Sequence, residues 1–197
     1  MKKSVIIILI CIFFLSGCSS KPVMLPGEKK VTIQNIYSEY YSIAEEYYKL
    51  KNYSKAIEYY SLAKEHKAFK NLALYKLASC YMYTSKWAEC IDIYKKLLNA
   101  DKSNYSLKEN LAYVYAMKGE KEKALSLYKE LHNLYPENEN YVENLIILYL
   151  AGEKNKEADT EVVSELIKTL ETISPENKNL QKYKDAINLE NSEEAAD

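Results

Sequence analysis

Apolar side chains recur along most of the chain with a period of thirty-four residues. The period is marked by a tyrosine and by an aliphatic residue four positions before it: Tyr47, Tyr81, Tyr115 and Tyr149, and Ile43, Leu77, Leu111 and Leu145. A second set begins nine residues after each of the first three tyrosines, at Ala56, Cys90 and Ala124. Spacings of i, i+3, i+4 and i+7 within each set predict one amphipathic helix. Each unit therefore contains two helices.

Small residues occupy one position on each predicted helix. They are Ala44, Ala78 and Ala112 on the first helices and Ala56, Cys90 and Ala124 on the second helices. A bulky side chain at a close contact between helices costs about 1–3 kcal/mol, because it forces the helices apart. We therefore predict that the two helices of a unit touch at these positions.

The segment from Ala44 to Ala63, AEEYYKLKNYSKAIEYYSLA, closely resembles the tetratricopeptide repeat family. The third unit adds Gly119 at the turn between its helices and Pro136 at its end, which suit a left-handed helix terminus and a helix stop. The resemblance spans Tyr37 to Asn177. It implies an all-α fold, an α-solenoid of about four helix-turn-helix units plus a C-terminal capping helix.

The domain boundaries follow from this resemblance and from the spacing. The tetratricopeptide domain is predicted at 32–190, with units at about 37–70, 71–104, 105–138 and 139–177 and a cap at 178–190. In the fourth unit Pro175 comes five residues later than the period requires, so an enlarged turn is expected at Gly152 to Asn155. The second helix of that unit would then run from about Glu157 to Ile173. Residues 191–197 are predicted to form an acidic disordered tail.

The first residues of the chain predict an export signal. Lys2 and Lys3 precede an uncharged apolar run from Val5 to Leu15, which is too short for a lasting transmembrane helix of about 20 residues. The following Leu-Ser-Gly-Cys18 resembles a bacterial lipobox, which implies cleavage before Cys18 and a covalent diacylglycerol and N-acyl lipid on that cysteine. Residues 1–17 would then be a signal peptide and 18–31 a lipidated tether. The alternative is an ordinary secretory signal or a retained anchor.

This resemblance also implies a location. Two or three acyl chains hold a protein at a membrane for long times, so the chain is predicted to be lipid-anchored to a bacterial membrane on its extracytoplasmic side. Ser19 follows Cys18 where an inner-membrane retention signal has aspartate. The expected site is therefore the periplasmic side of the outer membrane, if the cell has two membranes.

Composition narrows the possible ligands. The chain has 27 Lys and Arg against 28 Asp and Glu, a net charge of −1, so it has no positive field that would gather nucleic acid. Every basic residue is lysine, which excludes the two-point grip of arginine on phosphate or carboxylate. No nucleic-acid partner is predicted.

No catalytic or metal-binding motif is found. The histidines His66 and His132 lie in different units without a second ligand at a usable spacing, and both are predicted to be surface residues. Two Ser-x-x-Lys segments, at Ser61 and Ser126, lack the other motifs of serine acyl-enzymes. The prediction is therefore a protein that is not an enzyme, without cofactor, metal or small-molecule substrate.

Cys80 and Cys90 are predicted to lie on the two facing helices of the second unit. They could form a disulfide in an oxidising compartment. The other reading is that each fills an Ala-sized site in the helix contact, since spacing alone does not show that their Cα atoms come within the distance of about 7 Å that a disulfide requires.

The family resemblance implies which positions of the first helices face the concave side of the solenoid. The apolar and aromatic residues at these positions form the predicted groove: Tyr41, Tyr48, Tyr75, Met82, Tyr83, Tyr113, Met117 and Ile147. They do not pack the repeat itself, so they would be exposed unless something covers them. The expected partner is an extended or helical segment of an envelope protein. The alternative occupants are the chain's own tail and a second copy, through self-association.

These features predict a membrane-anchored scaffold for protein interactions in the bacterial cell envelope. Its partner would bind in the predicted groove and its lipid would hold it at the membrane. The alternative is an accessory subunit of an outer-membrane assembly machine, of the β-barrel insertion or pilus and secretin type.

Overall fold

The computed structural model describes residues 33–151 and 157–194. Those residues form nine helices and no strand. The helices are α1 (Ile33–Lys49), α2 (Tyr53–Ala63), α3 (Lys70–Tyr83), α4 (Trp87–Ala100), α5 (Tyr105–Lys118), α6 (Lys121–Leu134), α7 (Glu139–Leu150), α8 (Glu157–Ile173) and α9 (Leu180–Glu194). The predicted all-α solenoid of four helical hairpins plus a closing helix is confirmed.

Each helix from α1 to α9 packs against the next one along the chain. This includes α7 and α8, although residues 152–156 between them are not described. Each odd-numbered helix from α1 to α7 is the first helix of a unit, and the helix after it is the second. This nearest-neighbour packing is what repeated hairpins require, because no single hairpin can bury its apolar stripe alone.

The predicted close contacts between helices are present. Ala44, Ala78 and Ala112 and their facing residues Ala56, Cys90 and Ala124 have no exposed surface. In the second unit the thiol of Cys90 donates to the backbone oxygen of Ala78 at 3.2 Å. This distance leaves no room for a larger side chain at either position.

The turn between the two helices has the same geometry in the first three units. Lys51, Ser85 and Gly119 lie thirty-four residues apart, and their φ angles are 56°, 55° and 85°. After each of them the next backbone N–H bonds the oxygen of a repeat tyrosine, Tyr47, Tyr81 or Tyr115, at 2.8–2.9 Å. These are Schellman turns, which satisfy the last carbonyl groups of a helix. The predicted left-handed terminus at Gly119 is confirmed.

Asparagine side chains begin three of the helices. Asn52, Asn104 and Asn138 accept a hydrogen bond from the backbone N–H three residues later, at 3.1–3.4 Å. An N-cap of this kind contributes about 1 kcal/mol, because it satisfies an N–H group that has no partner inside the helix. The caps and the Schellman turns together fix where the hairpins begin and turn.

Large aromatic side chains fill the middle of the hairpins. Tyr60, Tyr94 and Tyr128, which are also thirty-four residues apart, are at most 1% exposed. Their rings pack where the two helices of a unit meet the first helix of the next unit. The buried residues form a smaller cluster shared by α1, α2 and α3 and a larger one that runs from α3 to α9, and the partly buried Tyr81 and Ile93 pack against both.

The end of the domain differs from the prediction at one point. Helix α8 spans Glu157–Ile173, as the sequence predicts, while the enlarged turn at Gly152 to Asn155 lies outside the described residues. Helix α9 buries Leu180, Tyr183 and Ile187 against the stack. It continues to Glu194, past residue 191 where a disordered tail is predicted, because glutamates are good helix formers.

The predicted signal peptide, Cys18 and the tether at 18–31 all precede the described residues. Among the residues that are described, no helix combines the length and the apolar character needed to cross a membrane.

Candidate functional site

The eight residues of the predicted groove fall into two groups in the structure. Tyr83, Tyr113, Met117 and Ile147 keep between 42% and 56% of their surface exposed. Tyr41, Tyr48, Tyr75 and Met82 are half-buried. All eight lie on the first helices of their units, as the family resemblance implies.

Two of the half-buried tyrosines, Tyr41 and Tyr75, pack against rings of their own units, and Tyr75 also bonds the next unit. The ring of Tyr41 lies 5.5 Å from that of Tyr60 and 6.0 Å from that of Phe69, which precedes α3. The ring of Tyr75 lies 6.2 Å from that of Tyr94, and its hydroxyl oxygen accepts a hydrogen bond from Asn110 at 3.4 Å. These side chains therefore pack the repeats in addition to lining the groove, and Tyr75 links the second unit to the third.

Three tyrosines form a cluster where α1, α2 and α3 meet. Tyr53 and Tyr83 are stacked, with ring centroids 4.7 Å apart and planes 8° apart. Tyr48 meets both rings edge-on, at 5.7 and 6.1 Å, and the ammonium group of Lys76 lies 5.1 Å from its ring centroid. The orientation of the exposed Tyr83 ring is thus set by contacts within the chain.

A cavity of about 470 Å³ opens in the middle of the groove. We call it the central cavity, and its lining residues are Met82, Tyr83, Trp87, Glu109, Asn110, Tyr113, Tyr128, Asn140 and Asn144. Three of them, Met82, Tyr83 and Tyr113, belong to the predicted groove. The other six lie outside the predicted groove: Glu109, Asn110, Asn140 and Asn144 are polar residues of α5 and α7, and Trp87 and Tyr128 belong to the second helices α4 and α6.

Three of the polar lining residues, Glu109, Asn110 and Asn144, belong to a repeated dipeptide. The dipeptide Glu-Asn occurs at 109–110 and again at 143–144, one period later. Glu109 accepts a hydrogen bond from the Tyr141 hydroxyl at 3.3 Å, and Glu143 accepts one from the Tyr183 hydroxyl at 3.2 Å. Each glutamate thus contacts a tyrosine of a following first or closing helix. This repeated pair is the sequence signal that could have identified the cavity.

The first unit has a separate polar network around Glu45. Its carboxylate accepts a hydrogen bond from the Tyr60 hydroxyl and binds the Lys76 ammonium group at 3.0 Å. Burial alone would raise the pKa of Glu45, but the hydrogen bonds from Tyr60 and Lys76 and the charge of Lys76 outweigh it and lower that pKa. Burial and the nearby Glu45 raise the pKa of Tyr60. Glu45 is therefore a paired carboxylate that joins α1, α2 and α3.

The two histidines are not among the lining residues of the central cavity. His66 is half-buried against the rings of Tyr37 and Phe69. His132 is also half-buried, its Nδ1 has no hydrogen-bond partner, and burial lowers its pKa. Both histidines, predicted to be surface residues, are therefore partly covered and not fully exposed. Across residues 33–151 and 157–194, no three His, Cys, Asp or Glu side chains are grouped to hold a metal ion.

Cys80 and Cys90 are free and buried. Burial raises the pKa of each thiol to about 12. Of the two alternatives for these cysteines, the structure therefore has the filled Ala-sized sites and not the disulfide. Cys18, the predicted lipid attachment site, lies outside the described residues.

Comparison with known families and structures identifies the repeats. Residues 72–102 and 110–138 each match the family model described as tetratricopeptide repeat. Comparison with curated proteins finds no matching sequence.

Several solved structures share the fold. A tetratricopeptide repeat protein from Parabacteroides merdae ATCC 43184 is 18% identical with a TM-score of 0.70, over 80% of this chain and 60% of that chain. MamA from Desulfovibrio magneticus RS-1, from residue 41 to its end, is 14% identical with a TM-score of 0.67, over 81% and 85% of the two chains. MamA of AMB-1 is 15% identical with a TM-score of 0.64, over 81% and 83%.

This chain spans 60% of the length of the Parabacteroides merdae protein. Because the sequence identities are low, the similarity to these structures concerns the fold alone. The two matched segments coincide with the second and third helical hairpins, and their spacing continues into the first and fourth. Residues 72–102 and 110–138 are therefore tetratricopeptide repeats, within a chain that has the fold of tetratricopeptide repeat proteins.

Proposed function

We propose that this protein is a membrane-anchored scaffold of the bacterial cell envelope that holds a segment of a partner protein in its groove. Tetratricopeptide repeats are scaffolds for protein interactions, and the repeats are established for this chain. We infer the binding surface, the membrane anchor and the compartment in addition to the repeats.

The exposed part of the groove carries the proposal. Tyr83, Tyr113, Met117 and Ile147 lie on three successive first helices and expose about half of their surface each. Exposed aromatic and aliphatic side chains in a continuous patch are typical of a protein-binding surface, because covering them removes apolar area from water. The central cavity beside Tyr83 and Tyr113 gives the patch a depression into which a partner side chain can fit.

The location rests on the sequence. The charged start, the short apolar run and Leu-Ser-Gly-Cys18 support lipid attachment at Cys18. A lipid at the amino end would hold the groove near the membrane through the residues that precede α1. The narrower role as an accessory subunit of an outer-membrane assembly machine stays a prediction.

Capture from detergent-solubilised membranes tests the groove. The variant carries Tyr83→Glu and Tyr113→Glu, which place two charges on exposed positions and leave the half-buried Tyr75 in its contact with Tyr94. We expect this variant to lose a partner that the unchanged protein captures, while its melting temperature stays within a few degrees of the parent.

The control places two glutamates on the outer side of the stack, at the exposed residues Lys95 and Leu134. This control should capture the partner as the parent does. Equal capture by the groove variant would contradict the proposal. Capture of a second copy alone, or a groove protected by the chain's own terminal residues, would also contradict it.

Fractionation of cells tests the anchor. Replacement Cys18→Ser removes the predicted lipid attachment site. We expect the unchanged protein in the membrane fraction, with radiolabelled fatty acid incorporated, and the variant without the label. Label that persists in the variant would contradict lipid attachment at Cys18.

A further inference from the structure

The central cavity combines aromatic walls with a carboxylate. Four of its nine lining residues carry aromatic rings: Tyr83, Trp87, Tyr113 and Tyr128. The faces of such rings are electron-rich and attract cations, with Trp the strongest of the common side chains. The stacking of Tyr83 on Tyr53 fixes one of these walls before any ligand binds.

Among the described residues, Glu109 is the only charged one that lines the central cavity. It forms no ion pair with any lysine of the described residues, unlike Glu45, which is paired with Lys76. Its Oε2 accepts a hydrogen bond from Tyr141, which leaves Oε1 without a donor in that part of the chain. The carboxylate is therefore held in place and keeps an unused acceptor oxygen.

Two asparagines add further acceptors. Asn110 donates its Nδ2 to the Tyr75 hydroxyl at 3.4 Å, and Asn144 donates its Nδ2 to the backbone oxygen of Asn140 at 2.7 Å. Their carbonyl oxygens accept no hydrogen bond from the described residues. An ammonium group carries three N–H donors and no acceptor, which complements a lining of this kind.

We propose that the central cavity binds a lysine side chain of the partner segment, with its ammonium group at Glu109 and its methylene groups between the aromatic rings. This inference rests on the proposed function, because it names the chemistry of the segment that the groove would hold. A positively charged ligand complements the carboxylate of Glu109, which has no ion-pair partner among the described residues. A lysine fits the carboxylate and the apolar walls together, since it presents an apolar stem and a charged end.

Fluorescence of the single tryptophan tests this inference on the purified full chain in detergent. Trp87 lines the cavity, so a ligand there changes its emission. The probe is n-butylammonium chloride, which has the end of a lysine side chain, titrated at constant ionic strength against sodium chloride. We expect a saturable change in the millimolar range, and at least about fivefold weaker binding of the neutral probe 1-butanol.

The Glu109→Gln variant keeps the acceptor for Tyr141 and loses the charge. It should bind n-butylammonium at least about fivefold more weakly than the parent. Glu143→Gln is the matched control, because Glu143 occupies the same repeat position and also accepts from a tyrosine but does not line the cavity. This control should bind as the parent does. Tyr113→Leu keeps an apolar wall without a ring and should also weaken binding several-fold.

An absent saturable change, equal binding of 1-butanol, or an unchanged affinity in Glu109→Gln would overturn the lysine site. Two outcomes distinguish a failure of the lysine site from a failure of the proposed function. Partner capture that persists in Glu109→Gln would contradict the lysine site alone. Saturable n-butylammonium binding without any captured partner would contradict the proposed function alone.

Discussion

Tyr53 of the first unit and Tyr83 of the second stack face to face, with their ring centroids 4.7 Å apart. Tyr53 begins α2 and Tyr83 ends α3, so the stack joins two units at the margin of the groove. The partner-facing side of Tyr83 is thereby fixed by a residue that belongs to the scaffold. Preorganisation of this kind lowers the entropy lost when a ligand binds.

The stack predicts a measurable coupling between the two residues. Aromatic pairs contribute about 0.5–1.5 kcal/mol beyond the area that they bury. A double-mutant cycle with Tyr53→Leu and Tyr83→Leu, measured by urea unfolding, should give a coupling energy in that range. Additive effects of the two replacements would contradict a stabilising stack. Tyr105 and Tyr83, which do not touch, provide the control pair and should be additive.

The turns after α1 and α3 contain a second testable feature. Lys51 and Ser85 have a positive φ, whereas the third unit has a glycine, Gly119, at the equivalent position. A side chain in this left-handed region costs about 1 kcal/mol, because its Cβ approaches the following carbonyl oxygen. We expect Ser85→Gly and Lys51→Gly each to raise the free energy of unfolding by about 0.5 kcal/mol, after the greater entropy of glycine in the unfolded chain is subtracted.

The reverse replacement supplies the control. Nothing lies within 4 Å of a Cβ built on Gly119, so Gly119→Ala introduces backbone strain without a clash. It should lower the free energy of unfolding by about 1 kcal/mol. Stabilisation by Gly119→Ala, or destabilisation by both glycine replacements, would show that these turns are not strained.

The repeat period predicts the hairpins well because the same contacts recur at a fixed spacing. Ala78 and Cys90 are placed at a helix contact by their positions in the repeat, and the structure joins them at 3.2 Å. The left-handed turn at Gly119 follows from the residue type. Such features depend on residues that are close in the sequence, so the same residue pattern marks them in each unit.

The groove is less predictable because its details arise between units. Phe69 covers Tyr41 from a turn that is not part of the apolar period. Trp87 lines the central cavity although it begins a second helix, where the concave register of the first helices does not apply. The sequence therefore predicts which helices form the groove but not which of its tyrosines are free.

The Glu45 network predicts a specific dependence of stability on pH. The pKa of Glu45 is lower in the folded chain than in the unfolded chain, so unfolding takes up protons in the acid range. The stabilisation is complete above the ordinary pKa of glutamate and is lost as the pH falls through the lowered value. Glu45→Gln should lose about 1–2 kcal/mol of unfolding free energy at neutral pH and show a shallower decline below about pH 4.5.

Chemical denaturation at a series of pH values checks this expectation. Glu58, which pairs with Lys55 at 2.8 Å on the exposed surface, provides the matched control. Glu58→Gln should retain the acid decline of the parent. Parallel curves for Glu45→Gln and the parent would contradict the paired state of Glu45.

The two buried cysteines predict a slow thiol reaction in the folded chain. Burial raises the pKa of Cys80 and Cys90 to about 12, so almost no thiolate exists near neutral pH. In a variant with Cys11 and Cys18 replaced by serine, both thiols should resist an aromatic disulfide reagent at pH 8 and react at once in urea. Prompt labelling of the folded variant would mean that these helices open readily.

The central claim is that the groove around Tyr113 receives a segment of another protein. Site-specific photocrosslinking in intact cells tests it directly, with a photoreactive phenylalanine at Tyr113 and, for comparison, at the exposed Lys95 on a second helix. The account predicts one discrete crosslinked species from Tyr113, containing a different protein, and none from Lys95. No crosslink at Tyr113, or the same species from both positions, would contradict it.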